Sequence, residues 1–282
     1  MTSYINSVPI NCFTGSRIGL EKEGLRILKN GQLTTSNHPE ALGSELTHQS
    51  ITTDFSESQL ELVTPPCWSS DNALNNLHKL HTFVHKQLPK DELIWTASMP
   101  GLISNESDIR IAEYGNSKSG MMKTIYRRGL AHRYGKKMQL ISGIHFNYSF
   151  ADEIWPVLHE LEESNKESSS FTSARYMSVI RNIQRYDWLL LYLFGASPAV
   201  SSSFCNKGHA LQAFDKSTHY NPYATSLRMS DIGYTNKWPP QNQSFISYQN
   251  LDAYVNSLTT AINTPNLEYQ RFGLYDNGER IQ

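Results

Sequence analysis

A chain of 282 residues is long enough to bury a substantial core, as one large domain or two small ones. Its composition, 39% hydrophobic and 18% charged residues, is that of a globular protein and excludes extensive disorder. A formal net charge of −1 argues against a general nucleic-acid-binding protein, whose surface would be basic.

The cysteines and the apolar segments indicate the compartment. Cys12, Cys67 and Cys205 are far apart with no CxxC pair, which predicts free thiols in a reducing compartment. The N-terminus lacks the basic-then-apolar order of a signal peptide. The longest apolar run, 188–194, is far shorter than the ~20 residues that cross a bilayer. We therefore expect a soluble, cytoplasmic protein without a membrane or nucleic-acid partner.

The first predicted element is a strand that carries two glutamates on one face. Residues 18–28 alternate so that Glu21 and Glu23 point to the same side, away from Leu20. Asn30-Gly31 follows and is a strong signal for a β-hairpin turn.

A second strand and a helix follow. Residues 59–64 are predicted to form the strand, which ends at two prolines. The helix is predicted to begin near Asp71 as its N-cap. Its expected apolar stripe is Leu74, Leu77, Leu80, Val84 and Leu88.

The remaining elements complete the prediction of fold class. Residues 142–150 alternate as a strand with His145 on its polar face, a core helix is predicted over about 175–194, and another helix is predicted over about 252–262. Strands and helices mix without a βαβ rhythm, which predicts an α+β fold with an antiparallel sheet, formed by residues 1–282 as one domain. Asp276-Asn277-Gly278 predicts a hairpin turn with only four residues after it, so the chain is expected to stop within an element.

Four carboxylates and one histidine form the candidate metal site. Glu21 and Glu23 share a strand face, where two like charges are tolerated if a cation lies between them. Asp54 and Glu61 bracket the segment that leads into the second strand, and Glu61 lies between two leucines, where a carboxylate needs a partner. His145 is the fifth member. Oxygen ligands with at most one imidazole predict Mg²⁺ or Mn²⁺ rather than zinc.

Other interpretations of these side chains remain open. Taken alone, the two glutamates favour a solvent-exposed strand face, and a lone histidine is more often hydrogen-bonded than metal-bound. A competing zinc site would use His78, His81 and His85, since the last two are i,i+4 neighbours on one helix. No HExxH pattern and no nearby cysteine supports that site.

Common phosphate-binding and nucleophile motifs are absent from the sequence. It contains no G-x-x-x-x-G-K-[ST] loop, no G-x-G-x-x-G turn and no G-x-S-x-G motif. Carboxylate-held cations are then the remaining means of binding a triphosphate, because such cations bridge phosphate oxygens.

Eight stretches of the chain match one known family, in order and over nearly the whole length. They are residues 19–26, 38–44, 46–55, 60–65, 123–127, 141–147, 192–198 and 223–237. In these stretches the chain resembles the proteobacterial class of glutamate–cysteine ligases. The resemblance implies a glutamine-synthetase-like carboxylate–amine ligase fold, in which an antiparallel β-sheet is flanked by helices.

The resemblance implies ATP-dependent joining of the glutamate γ-carboxyl to the cysteine amine through an acyl phosphate, the first step of glutathione biosynthesis. It assigns Mg²⁺ or Mn²⁺ to Glu21, Glu23, Asp54, Glu61 and His145, with ATP as co-substrate. Arg228 resembles the catalytic residue that pairs with a substrate carboxylate, a task suited to a guanidinium fork. The other implied substrate contacts are Tyr234, Tyr126, Phe55 and Leu130 for cysteine, Gln139 and Ile141 for glutamate, and Arg127 for a carboxylate.

Members of this family are far longer, so the resemblance also implies a ligase that lacks its C-terminal part, which in the family holds another metal-binding glutamate and a phosphate-contacting arginine. Three hypotheses follow. The chain is a ligase, alone or with a complementing C-terminal segment; or it is a non-catalytic or regulatory remnant that retains ligand or metal binding; or it joins a different amine to glutamate. The retained carboxylates favour the first, because buried carboxylates are costly to keep without a use, whereas the missing C-terminal part favours the second.

Overall fold

A computed structural model describes residues 5–205, 209–230, 232 and 246–282. The strands are β1 Arg17–Leu28, β2 Ile51–Thr53, β3 Gln59–Val63, β4 Glu92–Trp95, β5 Ile144–Ser149, β6 Ala199–Ser201, β7 Gln212–Ala213, β8 Thr218–Tyr220, β9 Tyr275–Asp276 and β10 Glu279–Arg280. The α-helices are α1 Asn11–Thr14, α2 Ser70–Gln87, α3 Lys118–Tyr134, α4 Ile154–Leu161, α5 Ser168–Phe194, α6 Leu251–Asn263 and α7 Leu267–Phe272.

The longest strand, β1, organises a five-stranded antiparallel sheet. The first part of β1 pairs with β5 and its last part with β4, while β3 pairs along the opposite edge and β2 lies beyond β3. The turn after β1 forms where predicted: Gly31 has a φ of 85°, and the Leu28 amide donates to the Gln32 carbonyl at 2.8 Å. The predicted antiparallel sheet with helices is confirmed.

One face of this sheet packs against α2. Leu20 of β1 and Leu62 of β3 share a core cluster with Ala73, Leu77 and Val84 of the helix. Antiparallel sheets commonly bury one face in this way and leave the other for polar side chains. The packing fixes which face of β1 carries Glu21 and Glu23.

The predicted start and stripe of α2 need correction. The helix begins at Ser70, and the Ser69 side chain, not Asp71, caps it by accepting a hydrogen bond from the Asn72 amide at 3.2 Å. Leu74 is 58% exposed, and Ala73 takes its place in the core. Leu77, Leu80, Val84 and Leu88 face the sheet as predicted, so only the first position of the stripe was wrong.

The predicted core helix at 175–194 is α5, and its apolar second half is not in the core. The buried residues of α5 are Phe171 and Met177, both in the first half, whereas Phe194 is 75% exposed. The apolar side of β5 is open as well, with Phe146 62% exposed. Within the described residues, no helix combines the length and the apolar character needed to cross a membrane.

A second core cluster joins the far end of β1 to later parts of the chain. It contains Leu25, Phe55, Ile141, Val200 and Leu227 among its buried members. Val200 belongs to a small three-stranded antiparallel sheet in the order β6-β8-β7. Through this cluster the segments on either side of Arg228 are anchored beside β1.

The predicted hairpin turn at 276–278 is confirmed. Asn277 and Gly278 both have positive φ values, 46° and 83°, which suit a two-residue turn between antiparallel strands. Glu279 pairs with Asp276 and Arg280 with Tyr275, so the four residues after Asn277-Gly278 include a short return strand.

Candidate metal and substrate site

The register of the main sheet brings the predicted metal ligands to one face. Glu23 on β1 lies directly opposite Glu61 on β3, and Glu21 lies directly opposite His145 on β5. Alternation along β1 sends Leu20 to the opposite face, against α2. Four of the five predicted ligands are therefore placed together by strand pairing alone.

His145 links the two glutamates of β1. Its Nδ1 lies 3.6 Å from Glu21 Oε2, and its Nε2 lies 3.2 Å from Glu23 Oε1. The second oxygen of Glu23 accepts a hydrogen bond from the Gly143 amide at 2.8 Å. The Asn147 side chain donates to Glu21 Oε1 at 2.9 Å. Each glutamate is thus held by a fixed donor and keeps one oxygen toward the imidazole.

Asp54 reaches the same face from the end of β2. Its amide donates to the Gln59 carbonyl at 3.0 Å, and its carbonyl accepts from the Tyr114 hydroxyl at 2.9 Å. The Arg127 Nε also donates to this carbonyl, and the Arg127 guanidinium lies over the Tyr114 ring at 4.6 Å. Arg127 and Tyr114 therefore hold the backbone that presents Asp54.

Three of the carboxyl groups have raised pKa values. Burial is the largest cause in each, and for Glu61 it combines with the negative charges of Asp54, Glu23 and Glu21 to raise the pKa to about 7. Burial and the charge of Asp54 raise the pKa of Glu23, and burial raises that of Asp54. Buried acids that repel one another are stabilised in the ionised form by a nearby cation. Oxygen donors with one imidazole fit Mg²⁺ or Mn²⁺.

The five side chains spread over the sheet face instead of meeting at one point. In the part of the chain that the structure describes, the one group of three or more His, Cys, Asp or Glu with all ligand atoms within 4.8 Å of one another lies elsewhere, at Cys205, His209 and His219. His145 contacts the two glutamates through different ring nitrogens. Such a face can serve more than one cation.

Arg228 lies beside the carboxylates, on the 3₁₀ turn Leu227–Met229. Its Nη1 is 3.9 Å from Glu23 Oε2 and donates to the Ile141 carbonyl at 3.1 Å. A Cβ added at Gly143 would come within 2.9 Å of this nitrogen, so the missing side chain leaves room for the guanidinium. Arg228, Glu23 and His145 line a cavity of about 430 Å³, a size suited to a small molecule.

The other predicted substrate residues fall into two groups. Tyr126 and Arg127 lie on α3, and Tyr126 is 58% exposed. Phe55 and Ile141 are buried in the core cluster that contains Leu25, Gln139 is buried in the 3₁₀ helix Met138–Leu140, and Leu130 packs against that cluster. Tyr234 lies outside the described residues. The substrate roles of these residues remain predictions.

Gly143, Asn147 and Tyr114 take part in the site but were not singled out by sequence reasoning. Alternation along 142–150 placed Asn147 on the same face as His145, so strand periodicity held a signal for it. Among the described residues, the competing histidines on α2 do not form a group of three with ligand atoms within 4.8 Å of one another, although the His81 and His85 rings stack with centroids 6.4 Å apart. Burial lowers the pKa of His81 to about 4, with smaller contributions from Lys22 and the neighbouring histidines.

Sequence comparison identifies relatives over nearly the whole chain. The family model described as Glutamate-cysteine ligase matches residues 4–282. A glutamate–cysteine ligase of Alcanivorax borkumensis is 48% identical over 274 residues, which are 96% of this chain and 51% of the relative. One of Hahella chejuensis is 48% identical over 265 residues, 94% of this chain and 50% of the relative. The chain spans about half the length of the curated relatives it matches.

Solved structures confirm the fold. The glutamate–cysteine ligase of Francisella tularensis in complex with AMP superposes with a TM-score of 0.86 at 43% identity, over 95% of this chain and 52% of that one. A bifunctional glutathione synthetase from Pasteurella multocida gives a TM-score of 0.76 at 31% identity, over 94% of this chain and 32% of that one.

Proposed function

The chain belongs to the glutamate–cysteine ligase family, and we propose that it serves ATP-dependent ligation of the glutamate γ-carboxyl to the cysteine amine, the first step of glutathione biosynthesis. The observation that carries the proposal is the sheet register that sets Glu23 opposite Glu61 and Glu21 opposite His145. The AMP complex of the Francisella tularensis relative supports nucleotide use by this chain.

The metal ligands proposed are Glu21, Glu23, Asp54, Glu61 and His145. When bound, Mg²⁺ supplies neutralisation and orientation of the triphosphate. The chain holds two of these ligands in place beforehand, through the Gly143 amide on Glu23 and the Asn147 side chain on Glu21. Preorganised ligands lose little freedom on binding, which favours affinity.

The proposed reaction has two steps. A γ-carboxylate oxygen of glutamate attacks the γ-phosphorus of ATP, and the bond to the ADP oxygen breaks, giving an acyl phosphate and ADP. The cysteine amine then attacks the acyl carbon, the bond to phosphate breaks, and the amide, phosphate and one proton are released. Arg228, beside Glu23 in the cavity, is proposed to pair with a substrate carboxylate and so to position the reacting carboxyl.

For the amine substrate, Tyr126, Tyr234, Phe55 and Leu130 are the proposed pocket residues. The exposed ring of Tyr126 is adjacent in sequence to Arg127, which binds the Asp54 carbonyl. The side chain of Arg127 therefore connects the proposed pocket wall on α3 to the proposed metal ligands. Gln139, Ile141 and Arg127 are the further proposed substrate contacts; the Ile141 carbonyl already holds Arg228.

Exposed apolar surface supports a role for further polypeptide in the complete site. Ile144 and Phe146 of β5 and Trp188, Leu193 and Phe194 of α5 are all more than half exposed. Large apolar surfaces of this kind mark sites of association. We propose that these faces pack against polypeptide equivalent to the part of the relatives outside the matched half.

The test compares the chain alone with a complemented sample. The purified chain is incubated with ATP, Mg²⁺, glutamate and cysteine, with and without the part of the Alcanivorax borkumensis relative that lies outside the matched region, and ADP and dipeptide are quantified. We expect ADP and dipeptide to form in at least one of the two samples, and we expect both products to be lost in Glu23→Gln. No dipeptide in either sample contradicts the ligase proposal.

A binding-only role is the second candidate. The spread of metal ligands and the cavity at Arg228 would allow metal or glutamate binding without turnover. Calorimetry with Mg-ATP and with glutamate separates the two: binding without dipeptide in the complemented sample supports the binding role, and dipeptide formation contradicts it.

A further inference from the structure

A thiol and two imidazoles meet on the small sheet, away from the acidic face. Cys205 follows a turn after β6, His209 precedes β7, and His219 is the central residue of β8. His219 pairs with Val200 on one side and with Ala213 on the other. The pairing fixes the backbone of His219 at the centre of this sheet. Cys205 lies on the segment that leaves β6, and His209 lies on the segment that enters β7.

The ligand atoms of these three residues all lie within 4.8 Å of one another. The two histidine rings are nearly perpendicular, at 75°, with centroids 4.6 Å apart. Tetrahedral zinc with these donors needs ligand atoms roughly 3.3–3.6 Å apart, as bond lengths of ~2.0–2.3 Å require. The three ligand atoms would therefore move closer together on coordination.

Both histidines present usable nitrogen lone pairs. His219 Nδ1 is buried and has no hydrogen-bond partner, which is costly for a polar atom unless a ligand engages it. His209 Nδ1 accepts a 3.2 Å hydrogen bond from the Leu211 amide and is therefore the unprotonated nitrogen of that ring. A metal bond at this atom would replace one long hydrogen bond.

The free Cys205 thiol is not activated as a nucleophile. Burial raises the pKa of Cys205, so the free group stays protonated at neutral pH and is a poor nucleophile. Its Sγ is 3.8 Å from the Ser201 carbonyl, a weak contact. Coordination to a cation would ionise the thiol and replace that contact.

We propose that Cys205, His209 and His219 bind a zinc ion. One thiolate and two imidazoles match zinc, whereas Mg²⁺ takes oxygen ligands, so the two metals would occupy separate sites of this chain. Water or a further group completes the tetrahedron. Bound zinc would tie the segments before β7 and after β6 to β8, next to Val200 in the core.

The test uses the full chain, stripped of metal with a chelator and assayed without ATP. Zinc binding is measured by calorimetry in excess Mg²⁺, and cobalt is used as a spectroscopic probe of the thiolate. We expect one tightly bound zinc ion per chain, and a thiolate-to-cobalt charge-transfer band. Cys205→Ser should abolish the band and weaken zinc binding by roughly 100-fold or more, since even indirect partners of a zinc ligand cost 10–100-fold.

Matched controls locate the ion. Cys12→Ser and the double variant His81→Gln/His85→Gln should bind zinc like the unmodified chain. His209→Gln repeats the test at a residue on a loop, in case Cys205→Ser unfolds the small sheet. Circular dichroism checks that each variant is folded. Absence of zinc binding, or equal affinity in the unmodified chain, Cys205→Ser and His209→Gln, overturns the proposal. Neither outcome depends on ligase activity.

Discussion

Glu23 on β1 and Glu61 on β3 are direct cross-strand neighbours, and burial together with neighbouring negative charge raises the pKa of both. Like charges in opposed positions of an antiparallel pair destabilise a sheet. The opposite face of the same strands is well packed against α2, which holds the carboxylates together in spite of the repulsion. Cation binding at this face should therefore stabilise the fold.

Glu61→Gln is expected to stabilise the metal-free chain and to weaken Mg²⁺ binding. The amide keeps the size of the side chain and removes one repelling charge, so we expect Tm in chelator at about pH 8 to rise by ~2–4 °C. Added Mg²⁺ should raise the Tm of the unmodified chain by mass action and raise that of the variant less. Differential scanning fluorimetry measures both, with the exposed Glu160→Gln as control. If Mg²⁺ raises the Tm of all three proteins equally, Glu61 is not a ligand of the metal.

Asn147→Ala is expected to weaken Mg²⁺ binding by about 10–100-fold, because the side chain orients Glu21 without being a ligand. Ser149→Ala is the matched control on the same face of β5, since the Ser149 hydroxyl contacts only the neighbouring Phe150 carbonyl among its described hydrogen bonds. Calorimetry with Mg²⁺ gives the comparison. Unchanged affinity in Asn147→Ala would show that Glu21 needs no such support.

Local periodicity predicted which candidate ligands share a face of each strand. Alternation along β1 placed Glu21 with Glu23, and alternation along β5 placed His145 and Asn147 together. What the alternation could not supply was the pairing: that β3 and β5 flank β1 depends on side-chain packing between segments far apart in sequence. The family resemblance supplied the idea that these residues act together.

Three other features could not be predicted from the pattern. Helix α3 has Gly120, Thr124 and Gly129 as its buried residues, so it lacks the apolar stripe that signals a helix. The second half of α5 has the apolar sequence of a core segment but is exposed. An apolar sequence predicts that a segment can be buried, but it does not predict which surface buries it. The position of Arg228 depends on the contact with Gly143, about 85 residues away in the chain, which no local pattern reports.

Gly143→Ala should displace the Arg228 guanidinium, because the new Cβ would come within 2.9 Å of it. If Arg228 binds a substrate carboxylate, glutamate affinity should fall by about 10-fold or more, the loss expected for a charged hydrogen bond. Gly19→Ala is the matched control: its Cβ meets Asn147 Cβ at 3.6 Å, an ordinary contact. Glutamate titration of both variants and of Arg228→Lys makes the test. If Gly143→Ala and Arg228→Lys bind glutamate as tightly as the control Gly19→Ala, this role for Arg228 is excluded.

Arg26→Met is expected to destabilise the chain by about 3–5 kcal/mol, the cost of leaving one member of a buried ion pair unpaired. Arg26 Nη1 lies 2.7 Å from Glu92 Oε2 with both side chains buried, and the guanidinium also donates to three carbonyls. Urea unfolding followed by circular dichroism measures the loss. Arg110→Met serves as the control and should cost far less, because Arg110 is only half-buried and its two hydrogen bonds are exposed to solvent. Similar losses in the two variants would contradict a special role for the buried pair.

The same pair predicts how stability depends on pH. Burial alone would raise the pKa of Glu92, but hydrogen bonds from Ser36 and Thr34 and the charge of Arg26 outweigh burial and lower it. The folded-state pKa therefore lies below the unfolded value of about 4.3. Because the folded state favours the ionised form, the Glu92 carboxylate contributes fully to stability above its unfolded pKa. This contribution is lost as pH falls through the folded pKa. In urea unfolding, Glu92→Gln should be clearly less stable than the unmodified chain at about pH 6, and the gap should narrow towards about pH 3. A gap that stays constant over this range would show that the ionisation of Glu92 is not linked to folding.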